Sequence, residues 1–253
     1  MKKFVREAIR GKVSERKFLD LKKVGNGLLS KLYHSDLNRL ATIHGTDKWN
    51  DHWYTQHYQH HFEPRKRRKM RILEIGIGGY ESPLKGGDSL RMWKSYFPKA
   101  EIHGLDIIDK TLHEENRIKV HVGSQVDFGF LDSIVNKCGK FDIIIDDGSH
   151  MNQHVRKTFH HMFLNGLNSD GIYVVEDTQT SYWEDYGGDP ERLQNPSTMM
   201  NLFKEMVDKT NCQDYLWNPD LKSPFDYSII SMHFYHNLVF IYKGDPRQEK
   251  NYN

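Results

Sequence analysis

From Met70 onward, short unbroken apolar runs alternate with stretches at helical spacing, and this alternation restricts the fold more than any other feature. "RILEIGIGG", "EIHGLDII", "IKVHVGSQ", "FDIIIDDGS" and "GIYVVEDTQ" read as strands, while "SLRMWKSYF", "DFGFLDSIVNKC" and "NQHVRKTFHHMFL" between them read as helices. Strands without polar alternation need cover on both faces, so the pattern predicts an α/β fold with a doubly wound, Rossmann-like, mostly parallel sheet. After a further helix at "STMMNLFKEMVDKT", the stretch "DYSIISMHFYHNLVFIYKG" predicts two strands joined around Tyr235–Asn237. Such a C-terminal hairpin places an antiparallel strand in the sheet. Upstream, the spacing of Phe4, Val5, Ile9, Phe18, Leu21, Val24, Leu28 and Leu32 predicts two or three helices, broken near Gly25-Asn26-Gly27. "HGTDKWNDHWYTQHYQHHF" (44–62) is too polar for a plain core helix. The division expected is an N-terminal helical segment 1–43, one domain 44–246 and a tail 247–253.

Two pairs of acids end strands. Asp146-Asp147 close "FDIIIDDGSH", and Glu176-Asp177 close "GIYVVEDTQ". Buried strands rarely end in paired carboxylates, because like charges repel and resist desolvation unless something positive faces them. In a doubly wound sheet the carboxyl ends of neighbouring strands meet at the ligand crevice. Hard oxygen donors with room for water or substrate suit Mg²⁺. Helix capping by Asp147 and Ser149 ahead of "HMNQHVRKTF" is the plainer alternative for one of these acids, though not for the Glu-Asp pair. Adjacent residues of a strand point to opposite faces, so Glu176 and Asp177 converge only if the backbone turns between them. His150 follows Asp147 by three residues at the mouth of the same crevice, where a neutral imidazole can act as general base.

The first strand of this alternation runs through Glu74 into a turn at Gly76, Gly78 and Gly79, which lets backbone approach a ligand closely. The second ends at Asp106, where a carboxylate can accept from ribose hydroxyls. Ser124, Gln125 and Asp127 follow the third, where an adenine ring would rest. The turn reads E-x-G-x-G-G rather than G-x-G-x-x-G, and a loop "YESPLKGGDS" delays the next helix, so no helix N-terminus meets a pyrophosphate. With the terminal hairpin, this favours S-adenosylmethionine over a dinucleotide.

At these residues the chain resembles a family. "HGTDK", "EIGIGGY", "GGDSLRMWKSYFP", "GLDIIDK", "GSQ", "IDDGSH" and "VVEDTQTSYW", in that order over residues 44–188, are similar to metal-dependent S-adenosylmethionine sugar O-methyltransferases of antibiotic biosynthesis. The resemblance implies a class I methyltransferase sheet and Mg²⁺ on Asp147, Glu176 and Asp177, with His150 as base. It implies a cofactor site drawing on Thr46, Lys48, Glu74, Gly76, Gly78, Ser89, Asp106, Ser124, Gln125 and Asp146, the last facing the methionine end. The "GTDK" segment would fold over the cofactor, and Tyr182 and Trp183 would stack on the acceptor. The implied substrate is a sugar hydroxyl of a glycosylated natural product or a glycan. One member of that family carries an additional N-terminal domain, whereas about 40 residues precede "HGTDK" here.

Composition narrows the rivals. Residues 1–40 hold 11 Lys/Arg against 4 Asp/Glu within a chain of net charge +2, and "PRKRRKMR" adds a second basic cluster. Neither is interleaved with an aromatic reading surface, and "DDGSH" is not the N/D-P-P-Y of amino-methylating nucleic-acid enzymes, so no nucleic-acid partner is expected. A cephalosporin-hydroxylase-like enzyme of the same fold remains the second reading. Two cysteines, Cys138 and Cys212, are too few and too isolated for a disulfide framework or a thiolate zinc site, which favours a reducing cytosol. No apolar run approaches the roughly 20 residues of a membrane span, and the basic N-terminus lacks the apolar core of a signal peptide. The localisation expected is cytoplasmic, and self-association into a homo-oligomer is left open.

Overall fold

The computed structural model describes residues 15–215 and 217–245. Its seven strands, β1 (Arg71–Ile75), β2 (Glu101–Asp106), β3 (Ile118–Val122), β4 (Phe141–Asp146), β5 (Leu167–Glu176), β6 (Ile229–Tyr235) and β7 (Leu238–Lys243), form one sheet. The order is β3-β2-β1-β4-β5-β7-β6, parallel through β5, with β7 antiparallel against both β5 and β6. This is the doubly wound sheet with a terminal hairpin that the alternation predicts. The expected tail 247–253 and the first helical residues, Phe4, Val5 and Ile9 among them, lie outside the described residues.

Strand alternation sorts the core into two layers. On one face Ile72, Ile143, Ile145, Ile172, Val174 and Phe240 pack against α2 (Leu37–His44), α3 (Thr55–Phe62) and α4 (Asp88–Tyr96). On the other, Leu73, Ile75, Ile144, Tyr173 and Val175 pack against α5 (Phe128–Cys138), α6 (Asn152–His161) and α7 (Met199–Val207). α2 therefore contributes Leu37, Leu40 and Ala41 to the core of the sheet domain itself, although the sequence division sets it apart.

Two sequence expectations need correction. The N-terminal pattern is not broken at Gly25-Asn26-Gly27, because α1 (Glu15–Leu32) runs straight through it. Nothing lies within 4 Å of a Cβ built on Gly25 or Gly27, so both glycines weaken the helix, by about 1 kcal/mol each against alanine, without a packing reason. The apolar positions of α1 are also not core: Val24 is 65% and Leu32 74% exposed. Its anchors are polar instead. Lys22 pairs with Asp88 at 3.3 Å, and Ser30 Oγ hydrogen-bonds with His44 Nε2 at 3.0 Å.

The second correction concerns the histidine- and tyrosine-rich segment, which does contain a core helix. Tyr58 and Phe62 of α3 are fully buried against Trp93 and Phe240. Its buried His61 is satisfied by two hydroxyls of the terminal hairpin, with Nδ1 2.8 Å from Tyr242 and Nε2 2.9 Å from Tyr235. The polar residues of this helix thus dock on polar groups of distant strands, which a local pattern does not reveal.

Burial, with Arg91, Lys22 and Lys94 nearby, lowers the pKa of His44 from 6.5 to about 4. Its folded form is neutral, so this contribution to stability is complete above pH 6.5 and is lost as pH falls toward 4. Replacing His44 with Gln is expected to remove about one proton from the uptake on unfolding near pH 5, read from the pH dependence of urea unfolding. An unchanged acid slope would show that His44 is protonated in the fold.

Candidate active site

The β1, β4 and β5 tips set the site by parity. Glu74 shares its face with Ile72, Glu176 with Val174, and Asp147 with Ile145, so these three acids lie on the α3/α4 side of the sheet. Asp146 has the opposite parity and belongs with Ile144 and Tyr173. By strict alternation Asp177 would leave Glu176 behind, but its backbone is left-handed (φ 53°, ψ 41°) and opens the short 3₁₀ turn Thr178–Tyr182. This is the turn that convergence of the Glu-Asp pair requires. His150 is left-handed too (φ 55°), and Thr180 Oγ1 donates to its carbonyl at 2.9 Å and to that of Asp177 at 3.0 Å. Two strained non-glycine residues clamped by one hydroxyl, at the end of the sheet where ligands bind, mark a functional constellation.

The positive group facing the acids is in part Lys48. Its buried ammonium donates to Glu176 Oε1 at 2.6 Å and Asp147 Oδ2 at 2.7 Å, and lies 3.3 Å from Glu74 Oε1. Burial would lower its pKa, but these three carboxylates raise it well above the usual lysine value, so the ammonium stays charged. Tyr58 donates a second hydrogen bond to Glu176 Oε1. Burial and the nearby Asp147 nevertheless raise the Glu176 carboxyl well above its usual range. One ammonium does not neutralise Glu74, Asp147, Glu176 and Asp177 together.

The remaining acids open toward His150. Its Nε2 lies 3.6 Å from Asp177 Oδ2 and 4.0 Å from Asp147 Oδ1. Asp147, His150 and Asp177 each offer one donor atom, all within 4.8 Å of one another. Burial alone would raise Asp177, but hydrogen bonds from Tyr54 and Gln179 and the neighbouring His150 hold it below the usual carboxylate range. The cluster therefore differs from the sequence expectation in one member: Glu176 is turned to Lys48 and Tyr58, and His150 takes its place beside the two aspartates. Asp147 caps no helix, since Met151 begins α6 without a side-chain cap.

Beside the cluster lies a cavity of about 380 Å³, within the range of small-molecule sites. Thr46, Lys48, Gly76, Gly78 and Ser89, all expected at the cofactor, line it, and Asp147 belongs to both cavity and cluster. Gly78 (φ 74°) has nothing within 4 Å of a built Cβ, so its bare backbone faces open space. Gly76 (φ 88°) has a different reason: a Cβ there would come within 2.0 Å of the Asp147 carbonyl, so the turn is locked against the end of β4.

Other expected cofactor residues turn elsewhere. Glu74 lies behind the cavity and accepts from Ser89 Oγ at 2.7 Å. Lys48 lines the cavity, but its ammonium is committed to the acids. Asp106 accepts from the N–H groups of Ile77 (3.0 Å) and Ile108 (2.9 Å), holding the glycine turn rather than facing the cavity. Ser124 Oγ accepts from Val126 N, and Asp127 caps α5 through Phe130 N. The amide of Gln125 is spent inside, donating to Asp146 and Thr158 and accepting from Ser149 N. Asp146 is correspondingly buried beneath the opposite face between Gln125 and Tyr173, and burial raises its pKa to about 6. It does not face the cavity, and strand parity is the reason.

No protein-family model matches the sequence. Demethylmacrocin O-methyltransferase of Streptomyces fradiae is 46% identical over 212 residues, which is 83% of this chain and 53% of the relative. Mycinamicin VI 2''-O-methyltransferase of Micromonospora griseorubida is 43% identical over the same shares. The solved structure of MycE methyltransferase in complex with Mg, SAH and mycinamycin VI superposes with a TM-score of 0.78 at 41% identity, covering 85% of this chain and 56% of that one. The chain is a homologue of sugar O-methyltransferases of macrolide and tetracenomycin biosynthesis. It spans about half the length of the curated relatives it matches. Its sheet is that of the class I methyltransferases. Among the described residues no helix is long and apolar enough to cross a membrane.

Three residues of this homologue's site escape sequence reasoning. Tyr54 OH donates to Asp177 Oδ1 at 2.8 Å and to the Asn237 carbonyl at 3.2 Å, and His52 Nδ1 stands 3.6 Å from the same carboxylate. Both lie in "WNDHWY", whose polarity was the available signal. Asn152 donates to the carbonyls of Thr180 and Tyr186 and accepts from Met199 N, fastening the loop that carries Tyr182 and Trp183. No local pattern marks it. Tyr182 and Trp183 are 37% and 50% exposed beyond Asp177.

Proposed function

We propose that this chain carries out Mg²⁺-dependent transfer of the methyl group of S-adenosylmethionine to a sugar hydroxyl of a glycosylated natural product or glycan, as a cytoplasmic enzyme. The observation that carries the reading is the position of His150, whose Nε2 is within 4.0 Å of two convergent aspartates, one of which also lines the cavity.

The residues present fit both groups. Mg²⁺ prefers one or two carboxylates and keeps several waters, and Asp147 and Asp177 offer hard oxygens that are partly open to solvent. Three acids gathered around a single ammonium, with Asp177 beside them, call for further positive charge. The cavity and its bare Gly78 backbone suit the methionine end of the cofactor. When bound, S-adenosylmethionine supplies an electrophilic methyl and Mg²⁺ makes an acceptor hydroxyl more acidic.

The chain supplies position and a proton acceptor. His150 Nε2 takes the proton of the hydroxyl, and Asp147 and Asp177 stabilise the imidazolium that results. Thr180 fixes the His150 backbone, and Tyr54 fixes Asp177. The exposed Tyr182 and Trp183 offer apolar faces to a sugar ring, on a loop that Asn152 holds in place. A screen of glycosylated acceptors with S-adenosylmethionine tests the proposal: a methyl-sized mass gain that Mg²⁺ supports and a chelator abolishes is expected. Transfer indifferent to the chelator would overturn the metal's role, and methylation of protein or nucleic acid alone would overturn the acceptor class.

Glu176 needs its own test, since Lys48 and Tyr58 occupy Oε1. Glu176→Gln is expected to weaken Mg²⁺ binding far less than Asp177→Asn. Equal losses in calorimetry would show that Lys48 yields its place and that Glu176 joins the ligands.

A further inference from the structure

A second group of donors lies on the other face of the sheet, away from the carboxylates. His103 of β2 has the parity of Leu73 and Leu105, and His121 of β3 pairs in register with Leu105, so both rings lie on the α5 side. Cys138, the last residue of α5, packs against the same layer. His103, His121 and Cys138 each offer one ligand atom, all within 4.8 Å of one another.

Three observations separate this group from an ordinary histidine pair. The rings are nearly parallel (2°), with His103 Nδ1 facing His121 Nε2 at 2.9 Å. His103 is fully buried and its other nitrogen, Nε2, has no hydrogen-bond partner among the described residues, with Glu101 Oε2 the acid near it at 3.9 Å. Whichever tautomer the pair adopts, that atom stays unsatisfied. With a cation between the facing nitrogens, His103 carries its proton on Nε2, on the side of Glu101, where metal-bound histidines usually have a carboxylate. Burial lowers the pKa of His103 to about 3 and depresses His121 as well, so both rings are neutral, the form that ligates. Arg71, Lys119 and Lys137 add positive charge near the rings, and Glu101 and Glu114 offset it.

We propose that His103, His121 and Cys138 form a site for a soft divalent transition-metal ion, with Zn²⁺ as its occupant, tying β2, β3 and the end of α5 together. Two imidazoles and a thiolate match zinc, and bonds of about 2.0–2.3 Å require the facing nitrogens to part by only about half an ångström. β3 is the edge strand of the sheet, so the ion has a way in. Binding transfers the Cys138 thiol proton to solvent and leaves a metal–sulfur bond.

Titration of the full chain with Co²⁺ tests this, because a thiolate-to-cobalt charge-transfer band in the near ultraviolet reports sulfur ligation and is silent for cobalt on carboxylates. The band is expected to saturate at one equivalent, to be displaced by Zn²⁺ and to be absent in Cys138→Ser. His121→Gln, at a partly exposed position, is expected to weaken binding at least about tenfold, as loss of even a supporting residue does. No band with excess Co²⁺, or the same band in Cys138→Ser (which would assign it to Cys212), overturns the proposal.

Discussion

His150→Asn is expected to lower the turnover of methyl transfer by about 10²–10⁴, the usual contribution of a general base, while Mg²⁺ and cofactor binding stay near those of the parent chain. Asparagine suits the test because position 150 is left-handed at φ 55°, a conformation that Asn tolerates and most residues do not. Thr180 would still hold the backbone carbonyl, so the loop keeps its course. The variant also resolves an ambiguity of the cluster, in which His150 lies as close to the two aspartates as a ligand would. Loss of turnover at unchanged Mg²⁺ affinity identifies a base. Loss of Mg²⁺ affinity would make His150 a ligand, and unchanged turnover would remove it from the chemistry.

Lys48→Met is expected to reduce folding stability by about 3–5 kcal/mol, the range for removing one partner of a buried ion pair. Methionine keeps most of the volume, so the loss reports charge rather than packing. Without the ammonium, Glu74 and Glu176 remain buried with Asp147 close by, and no other cation among the described residues reaches all three. The same contact fastens the segment after α2 onto the sheet, between residues 128 positions apart. Urea unfolding gives the difference directly. Added Mg²⁺ is expected to raise the midpoint of Lys48→Met more than that of the parent, because the uncompensated carboxylates gain a substitute cation. A midpoint equal to the parent's would show that the buried acids are protonated and need no counter-charge.

The sheet was legible because its signal is local: apolar runs of strand length, separated by helical spacing, specify the layers without reference to distant residues. The clustering of the strand-end acids was legible for a related reason, since paired carboxylates at strand ends are rare unless compensated. Parity carried further information. It assigns Glu74, Asp147 and Glu176 to one face and Asp146 to the other, an alternation visible in "FDIIIDD" itself, and Asp146 accordingly lies away from the cavity. What stayed hidden depends on long-range partners. Lys48 reaches across the chain to three acids, the polar face of α3 is satisfied by hydroxyls of the terminal hairpin, and Gln125 is consumed by Asp146, Thr158 and Ser149. The continuous α1 reflects a different limit. Two glycines weaken a helix without forbidding it, and its contacts through Lys22 and Ser30 offset the loss.

The most direct test is calorimetric titration of Mg²⁺ into the full chain saturated with S-adenosylhomocysteine, set beside the same titration of Asp177→Asn. We expect one Mg²⁺ per parent chain and a loss of that binding in the variant. Equal affinity in both proteins would contradict a cation held at the ends of β4 and β5.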